Sequence, residues 1–263
     1  MKISVIIPNY NSGKFLEKCL NSVFNQSYDN FEVIVADGHS TDNSPEILKR
    51  FQQLHENLKV VYRVSKGTSD NINAGMKLAI GDIVGYLCAD DTYEPNCLET
   101  VAEYFRQPIV QWVYGKSKII DGEGKEIRKL VTKAKEALQK RYSYTALQCV
   151  DFIVQLTVFA RRQFYQQVGE YNVNLKYGMD YEFCLRAGKE SNPVFIDAYL
   201  ANWRAHGEST SEKEHVAEAK QALGIQKRYS KWWFRPIQYC VYGLTVLLYW
   251  VMGKWKKECN VKS

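Results

Sequence analysis

Two adjacent aspartates, Asp90 and Asp91, directly follow an apolar run from Ile83 to Leu87 that predicts a buried strand. Open α/β sheets bind their ligands at the carboxyl ends of the strands. Two carboxylates this close repel each other unless a cation or several donors offset their charge. Their oxygens suit Mg²⁺ or Mn²⁺, which usually bind between carboxylates and substrate phosphates. The pair therefore indicates a divalent-cation site, and the alternative is a solvated turn, in which Asp is also common.

The elements before this pair alternate between strand and helix. Apolar runs predict four strands, at Lys2–Ile7, Phe31–Ala36, Leu58–Val64 and Ile83–Leu87. Three helices are predicted between these strands: one after Ser12, where apolar residues recur at helical spacing, and two that start near Thr41 and Asp70. Such alternation predicts an α/β fold with a parallel, helix-covered, Rossmann-like sheet. Pro8, Asp37 and Asp90 all fall at strand ends, so three loops are expected to converge on one crevice.

The pattern changes after Thr92 and predicts a smaller antiparallel part. We expect a helix at Leu98–Phe105 and two antiparallel strands at Trp112–Ile120 and Glu126–Val131. The remaining predicted elements are a strand at Phe152–Phe159, helices at Phe164–Val168 and Tyr181–Ala187, and short strands at Val194–Tyr199 and Ala201–Arg204. The predicted organisation is one catalytic domain over 1–211, with a ligand-binding half at 1–91 and a second half at 92–211, and a helical tail over 212–263.

Composition limits the class of protein. A chain of 263 residues that is 46% hydrophobic can bury its own core. Seven scattered cysteines without a Cys-x-x-Cys spacing argue against a zinc site and a disulfide framework. With no signal peptide at Met1, they lead us to expect a reducing cytoplasm. No Gly-x-Gly-x-x-Gly follows the first strand, which argues against a dinucleotide oxidoreductase.

The predicted tail carries the chain's net charge of +6. It contains an uncharged run, Ile237–Met252, flanked by tryptophans and cations. That arrangement indicates a membrane-interface anchor rather than a nucleic-acid binder. Sixteen helical residues reach only about 24 Å, less than the hydrocarbon core of about 30 Å. We expect an interfacial helix; the alternatives are a true span, a homodimer contact or a helix packed on the domain.

Five motifs in this order and spacing resemble a known family. They are SVIIPNYN at 4–11, DGHSTD at 37–42, DNINAGMKLAIGD at 70–82, GYLCADD at 85–91 and GMDYEFCLR at 178–186. The chain resembles the inverting glycosyltransferases with the A-type fold, over residues 1 to about 210. The similarity is to the bacterial branch that builds surface polysaccharides, lipopolysaccharide among them, and modifies lipid-linked glycans.

The resemblance implies a nucleotide-diphosphate-sugar donor and assigns residues to it. The Pro8, Asn9 and Tyr10 loop would lie against base and ribose, although Tyr10 is also suited to packing over the next helix. Asp37 would accept from the base edge, or else be a turn residue before Gly38. The other assigned donor-binding residues are Lys66, Asp70, Asn73 and Asp90, with a solvated loop position as the alternative for Lys66 and a helix N-cap for Asp70.

The resemblance also implies the catalytic and metal-binding residues. Asp91 would bind Mn²⁺ or Mg²⁺ between the two phosphates, and His206 would be a further metal ligand or a diphosphate donor, or else a surface histidine. Asp180 would be the general base that takes the acceptor hydroxyl's proton in a single displacement. Relatives often have Glu-Asp where this chain has Met179-Asp180; the alternative role for Asp180 is an N-cap.

The expected function is therefore a metal-dependent inverting glycosyltransferase that acts on a glycan or lipid-linked acceptor at the cytoplasmic face of the membrane. The Gln-x-x-Arg-Trp signature of processive synthases is absent, which indicates one sugar per encounter. Two alternatives stay open. One is a catalytically silent nucleotide-sugar-binding scaffold, and the other is a nucleotidyltransferase, against which the lack of a glycine-rich phosphate loop argues.

Overall fold

The computed structural model of the chain describes residues 1–63, 65–206 and 214–260. The strands are β1 (Ile3–Asn9), β2 (Phe31–Asp37), β3 (Leu58–Tyr62), β4 (Ile83–Tyr86), β5 (Thr92–Tyr93), β6 (Trp112–Ile120), β7 (Glu126–Ile127), β8 (Phe159–Arg161) and β9 (Val194–Arg204). The helices of the first half are α1 (Gly13–Phe24), α2 (Ser44–Leu54), α3 (Thr68–Leu78) and α4 (Cys97–Phe105). Those of the second half are α5 (Lys129–Gln139), α6 (Tyr144–Leu147), α7 (Arg162–Val168), α8 (Met179–Glu190), α9 (His215–Tyr229) and α10 (Arg235–Asn260).

The strands form one mixed sheet in the order β3-β2-β1-β4-β8-β6-β9-β5, with β7 paired to β6. β1, β2, β3 and β4 are parallel, and β8 joins them to the second half by antiparallel pairing with β4 and β6. β6 and β9 are parallel, whereas β5 pairs antiparallel with β9 and β7 pairs antiparallel with β6. The predicted α/β fold with a smaller antiparallel part is confirmed.

Helices cover both faces of this sheet and bury strands β1, β2 and β4 between them. One core cluster packs α1, α2 and α4 against the sheet, and the other packs α3, α7, α8 and α9 against the opposite face. All seven residues of β1 and of β2 are buried. The ends of these strands are therefore fixed by the core, and the loops that follow them start from rigid positions.

The first strand continues through Pro8, which the sequence pattern placed at its end. Pro8 pairs with Ala36, and Asn9 pairs with Asp37. The backbone polar groups of Ile6 point towards β4, because the Ile6 carbonyl accepts the Leu87 N–H at 2.9 Å. The backbone nitrogen of Pro8, two residues on, points to the same side, beyond the last residue pair of β1 and β4. The N–H that proline lacks is not needed there.

Three predictions for the second half are wrong in detail. Only Glu126–Ile127 is strand, and a helix, α5, begins at Lys129. The buried apolar run Phe152–Phe159 is mainly a loop with a 3₁₀ turn, and its strand begins only at Phe159. The two short strands expected at 194–204 are one strand, β9, whose pairing with β6 shifts at Gly115–Ser117.

The predicted tail consists of two different parts. Helix α9 packs on the domain, because Leu223, Ile225 and Gln226 are buried and the Gln226 side chain donates to the Cys149 carbonyl at 3.0 Å. Helix α10 leaves most of its described apolar side chains exposed. None of the described helices combines the length and the apolar composition that crossing a bilayer requires. The domain boundary near 211 stays a prediction.

Helix α3, which carries several candidate site residues, rests on β1 through Gly75. A Cβ at Gly75 would lie 2.5 Å from Ile6 Cγ2, so Gly75→Ala should lower the free energy of unfolding by about 1–3 kcal/mol. Gly224→Ala, in α9 with open space around it, is the matched control and should raise stability by about 0.5–1 kcal/mol. Urea unfolding measures both, and a Gly75→Ala protein as stable as the wild type would contradict this packing.

Candidate active site

The aspartate pair lies at the carboxyl end of β4, where the end of β9 returns to it. Asp91 is 2% exposed, and its Oδ1 accepts the backbone N–H of Arg204 at 2.7 Å. His206 Nε2 lies 3.0 Å from Asp90 Oδ2. The structure thus brings His206 to the Asp90–Asp91 pair, from which it is more than 110 positions away in the chain. Residues 207–213, which follow His206, lie outside the described residues.

The Arg204 side chain, which the sequence did not single out, holds this loop in place. It is buried, and its Nε donates to the Asp90 carbonyl at 2.7 Å. Its Nη1 donates to the Asp121 carbonyl at 2.9 Å, and its guanidinium lies over the Phe15 ring. The Phe15 ring also contacts the His206 ring. Arg204 is therefore a positioning residue that fixes Asp91 by its backbone and Asp90 by its side chain.

The electrostatics of the pair favour a bound cation. Burial, and then the charge of Asp90, raises the pKa of Asp91 well above its usual range, although the N–H and charge of Arg204 oppose the shift. Ligand atoms of Cys88, Asp90 and Asp91 lie within 4.8 Å of one another. His206 Nδ1 is buried without a partner in the described part of the chain. The two carboxylates of this set offer the oxygen ligands that Mn²⁺ or Mg²⁺ prefers, and the role of His206 as a further metal ligand stays a prediction.

Asp180, the predicted base, lies at the start of α8. Gly178, with φ 65°, occupies the N-cap position of α8, and Asp180 is the second helical residue, so the N-cap alternative for Asp180 is wrong. Burial raises the pKa of Asp180, while the neighbouring backbone N–H groups and Lys135 oppose that shift. The Cys88 thiol, whose pKa is raised by its burial, lies within electrostatic range of Asp91, Asp90 and Asp180. The charges of three carboxylates, those of Asp90, Asp91 and Asp180, therefore act on the Cys88 thiol.

Further acidic groups lie within electrostatic range of Asp180, and no local sequence pattern predicts them. Asp151, which precedes the loop to β8, and Glu218, on α9, are both within electrostatic range of Asp180, as is Lys135 on α5. Burial, and then the charge of Asp180, raises the pKa of Glu218 to about 7. Where many relatives have Glu, Met179 contacts the Ser69 hydroxyl on α3. The structure thus adds acids from other elements to the one predicted carboxylate.

The loops after β1 and β2 form a second polar cluster. Asp37 is fully buried and accepts from the Asn9 amide at 2.6 Å and from the Ser40 N–H and hydroxyl at 2.8 and 2.7 Å. Tyr10 is exposed, so α1 does not bury it, and its ring lies beside Gly38. The amide oxygens of Asn9 and Asn71 are buried without a partner within the described ranges. Asn71, which sequence reasoning missed, thus offers an unused acceptor beside Tyr10 and Gly38.

Two other predicted donor-binding residues lie at the start of α3. Asp70 accepts a bidentate pair from Arg63 Nη2 at 3.1 and 3.0 Å and the backbone N–H of Lys66 at 3.0 Å. Gly67 takes the N-cap position, so the N-cap alternative for Asp70 is wrong, and Asp70 lies in the first turn of α3. The Asp70 charge is already paired, and the contacts of Lys66 and Asp70 with a donor stay predictions.

Asn73 is not brought into the cluster. Its Nδ2 donates to the Tyr171 carbonyl at 2.8 Å, and its Oδ1 accepts from the Tyr171 N–H at 2.9 Å and the Tyr165 hydroxyl at 3.2 Å. Both polar atoms of this buried amide therefore bond within the protein and connect α3 to α7 and the loop after it. Its predicted nucleotide contact stays a prediction.

Comparisons with known proteins agree on one family and one fold. Residues 4–168 match the sequence profile of glycosyl transferase family 2. An uncharacterised glycosyltransferase of Nostoc sp. is 38% identical over 128 residues, which is 48% of this chain and 40% of that protein. Chondroitin synthase of Escherichia coli is 29% identical over 236 residues, 86% of this chain and 33% of the synthase. The chain thus spans less than half the length of either relative.

A solved structure gives the same fold at lower sequence identity. The mannosyltransferase PcManGT from Pyrobaculum calidifontis, in complex with GDP-Man and Mn²⁺, superposes with a TM-score of 0.67 at 18% identity. The match covers 91% of this chain and 68% of that one. The expected A-type glycosyltransferase fold is confirmed.

Proposed function

Because the chain belongs to glycosyl transferase family 2, we propose that it transfers one sugar, with inversion, from a nucleoside-diphosphate sugar to a hydroxyl of an acceptor. The acceptor is a glycan or a lipid-linked glycan of bacterial surface-polysaccharide synthesis. The observation that carries the proposal is the cluster of Cys88, Asp90 and Asp91 at the carboxyl end of the sheet, with Asp180 within electrostatic range of the same thiol. A displacement at a sugar carbon needs a cation that offsets the charge of the leaving diphosphate and a base that accepts the proton of the acceptor hydroxyl. The Asp90–Asp91 pair would hold the cation, and Asp180 would be the base.

The donor would bind across the ends of β1, β2 and β4. Tyr10 offers an exposed ring for the base, and the unpaired amide oxygens of Asn9 and Asn71 accept hydrogen bonds from the base or ribose. Asp37 accepts hydrogen bonds from the Asn9 amide nitrogen and the Ser40 hydroxyl and so positions Asn9. The Asn9 amide oxygen is left available to the donor. The GDP-Man bound to PcManGT supports a nucleotide sugar as the donor class.

The diphosphate would lie at Asp90 and Asp91. Asp91 and His206 would hold Mn²⁺ or Mg²⁺, with Asp90 between His206 and the ribose. When bound, the cation supplies Lewis-acid stabilisation of the charge on the leaving diphosphate. Arg204 keeps Asp91 aimed at that position through the 2.7 Å bond from its backbone N–H. Support also comes from the Mn²⁺ present with PcManGT.

Asp180 would act as the general base on the acceptor. Burial raises its pKa, which brings its basicity closer to that needed at neutral pH than an ordinary aspartate's. Asp151 and Glu218 would accept hydrogen bonds from other acceptor hydroxyls, since they lie on the side of Asp180 formed by α9 and the loop before β8. The similarity to chondroitin synthase supports a glycan acceptor.

A donor panel tests this proposal. The full chain is incubated with UDP- and GDP-sugars and Mn²⁺, with and without a membrane extract as acceptor, and the released nucleoside diphosphate is measured. We expect one donor to give release that the extract stimulates and EDTA removes. Release from no donor, although the protein binds one of them, would identify a silent scaffold instead.

The tail is proposed to attach this domain to the cytoplasmic face of the membrane. Trp232, Trp233, Ile237, Leu244 and Leu247 are exposed. Helix α10 is anchored at its start by Gln238, which is fully buried and donates to the Gln148 carbonyl at 3.0 Å and the Ser230 hydroxyl at 2.6 Å. Such a helix would lie in the interface with tryptophans at headgroup depth and the tail's cations facing anionic lipid.

Truncation after Lys231 is expected to give a soluble protein that still releases nucleotide from its donor but transfers poorly to a lipid-linked acceptor. Full-length protein should sediment with membranes and be partly released by high salt or alkaline carbonate, because interfacial helices are held by modest apolar area and charge. A chain that ends at Asn260 is the matched control and should behave as the full chain does.

Two results would oppose interfacial attachment. Resistance to carbonate with the C-terminus on the far side of the membrane would mean that the tail spans it. Full-length protein that never sediments with membranes would mean that α10 is a dimer contact or packs on the domain.

A further inference from the structure

Helix α5 exposes its apolar side chains and buries polar ones. Leu130 is 83% exposed, Val131 43% and Leu138 41%, whereas Thr132 is 4% exposed and Gln139 1%. A helix that packs on a core normally does the reverse, because burial of apolar surface is what holds it there. Within the described part of the chain, nothing buries the apolar side of α5.

The inner side of α5 is fixed by hydrogen bonds instead. The Gln139 amide donates to the Phe152 carbonyl at 3.0 Å, and the Gln139 carbonyl accepts the Tyr114 hydroxyl at 2.6 Å. Glu136 accepts the Tyr199 hydroxyl at 2.6 Å. These bonds fix which way the helix faces, so the outward position of its leucines is set by the domain.

The exposed residues of α5 form a stripe along the helix. At about 100° per residue, Leu130, Val131, Ala134, Ala137 and Leu138 span an arc of about 120°. All five are exposed, and the centre of their arc is roughly opposite Thr132 and Gln139. This is the geometry of a helix that lies with one apolar side in a membrane interface.

Cations flank the stripe. Lys133 lies beside one edge and Lys135 beside the other, and both are exposed. Residues 128–141 contain six Lys or Arg and one acid, Glu136, which gives this segment a net charge of +5. An apolar stripe between lysines complements an anionic phospholipid surface. The lysine ammonium groups contact the lipid phosphates, and the apolar side chains lie in the interface between them.

We propose that α5 is a second membrane contact of this protein, in addition to the tail, and that it lies on the anionic lipid surface through Leu130, Val131 and Leu138. This inference deepens the proposed function and rests on it for the lipid-linked acceptor. Lys135 lies within electrostatic range of Asp180, so the contact would bring the bilayer surface next to the base. A second copy of the chain fits this side less well, because a two-fold contact would place two stripes, each flanked by Lys133 and Lys135, against each other.

Vesicle binding by the full chain tests the inference. The variant Leu130→Gln/Val131→Gln/Leu138→Gln keeps good helix formers on α5 and removes the stripe. The matched control, Ile109→Gln/Val173→Gln/Leu78→Gln, removes side chains that are 83%, 42% and 45% exposed elsewhere. Partition is measured by flotation with vesicles of phosphatidylglycerol and phosphatidylcholine, or of phosphatidylcholine alone, and circular dichroism checks the fold.

We expect wild type and control to bind the anionic vesicles within about twofold of each other, and the α5 variant to bind at least about tenfold more weakly. Wild type should bind the neutral vesicles more weakly than the anionic ones. Binding of the α5 variant equal to that of the control would overturn the inference while leaving attachment by the tail intact. A wild-type dimer that the α5 variant dissociates in ultracentrifugation would also overturn it, in favour of a second copy. Donor-dependent nucleotide release, measured separately without vesicles, reports on the proposed function alone.

Discussion

Asp91→Asn should lower sugar transfer by about 10³-fold or more while the protein stays folded. Asn keeps the side-chain oxygen that accepts the Arg204 N–H, so the loop keeps its 2.7 Å contact, but the charge that a divalent cation needs is lost. The Lewis-acid contribution of a bound metal is several kcal/mol, and each 1.36 kcal/mol is about tenfold in rate. Transfer is measured as nucleotide release with Mn²⁺, and Mn²⁺ binding by electron paramagnetic resonance.

The control for Asp91 lies at the other end of the same strand. Asp82 is exposed and accepts the Lys2 N–H at 2.9 Å, so Asp82→Asn removes an equal charge outside the site. It should leave Mn²⁺ affinity and turnover near wild type. Full activity of the Asp91 variant, or of the wild type in EDTA, would remove the metal role.

Asp180→Asn should reduce turnover by about 10²–10⁴-fold, the usual contribution of general-base catalysis. Donor affinity should barely change, because the role proposed for Asp180 is on the acceptor. Glu190→Gln, at the exposed C-terminal end of the same helix, is the matched control and should keep full turnover. A variant that loses donor affinity with turnover intact would assign Asp180 to the donor instead.

The pH profile gives a second readout for Asp180. A general base must be ionised, and burial raises the pKa of this carboxyl above its usual value. The acid limb of kcat/KM should therefore fall at a higher pH than the value of about 3.9 for an ordinary aspartate. The limb should be absent from the residual activity of Asp180→Asn.

The first half of the fold was predictable because its signals are local. The four parallel strands are short apolar runs, of which β1, β2 and β4 are buried throughout and β3 only in part, and they appear within two residues of the expected ends. Glu126–Val131 was mispredicted because Ile127, Leu130 and Val131 suit a strand locally. What decides against it is that Leu130 and Val131 face away from the core. Phe152–Phe159 is apolar because it fills the core as a loop, which no periodicity distinguishes from a strand.

The site was predictable where strand ends set it and not where distant contacts do. Asp90 and Asp91 were identified by their position after a buried strand. Arg204 was not identified, because its role depends on the end of β9 meeting a loop 113 residues away. Glu218 was placed by sequence in a tail, and only the packing of α9 on α8 brings it near Asp180. Side-chain roles that depend on two elements meeting leave no local pattern.

The most direct test of the proposed reaction is proton NMR of the full chain with its accepted donor, Mn²⁺ and acceptor. The anomeric proton of the donor and that of the first product are followed as nucleotide is released. One displacement with Asp180 as base predicts a product of inverted anomeric configuration, formed in equal amount with the nucleoside diphosphate. A product of retained configuration, or release of a nucleoside monophosphate in place of the diphosphate, would contradict it.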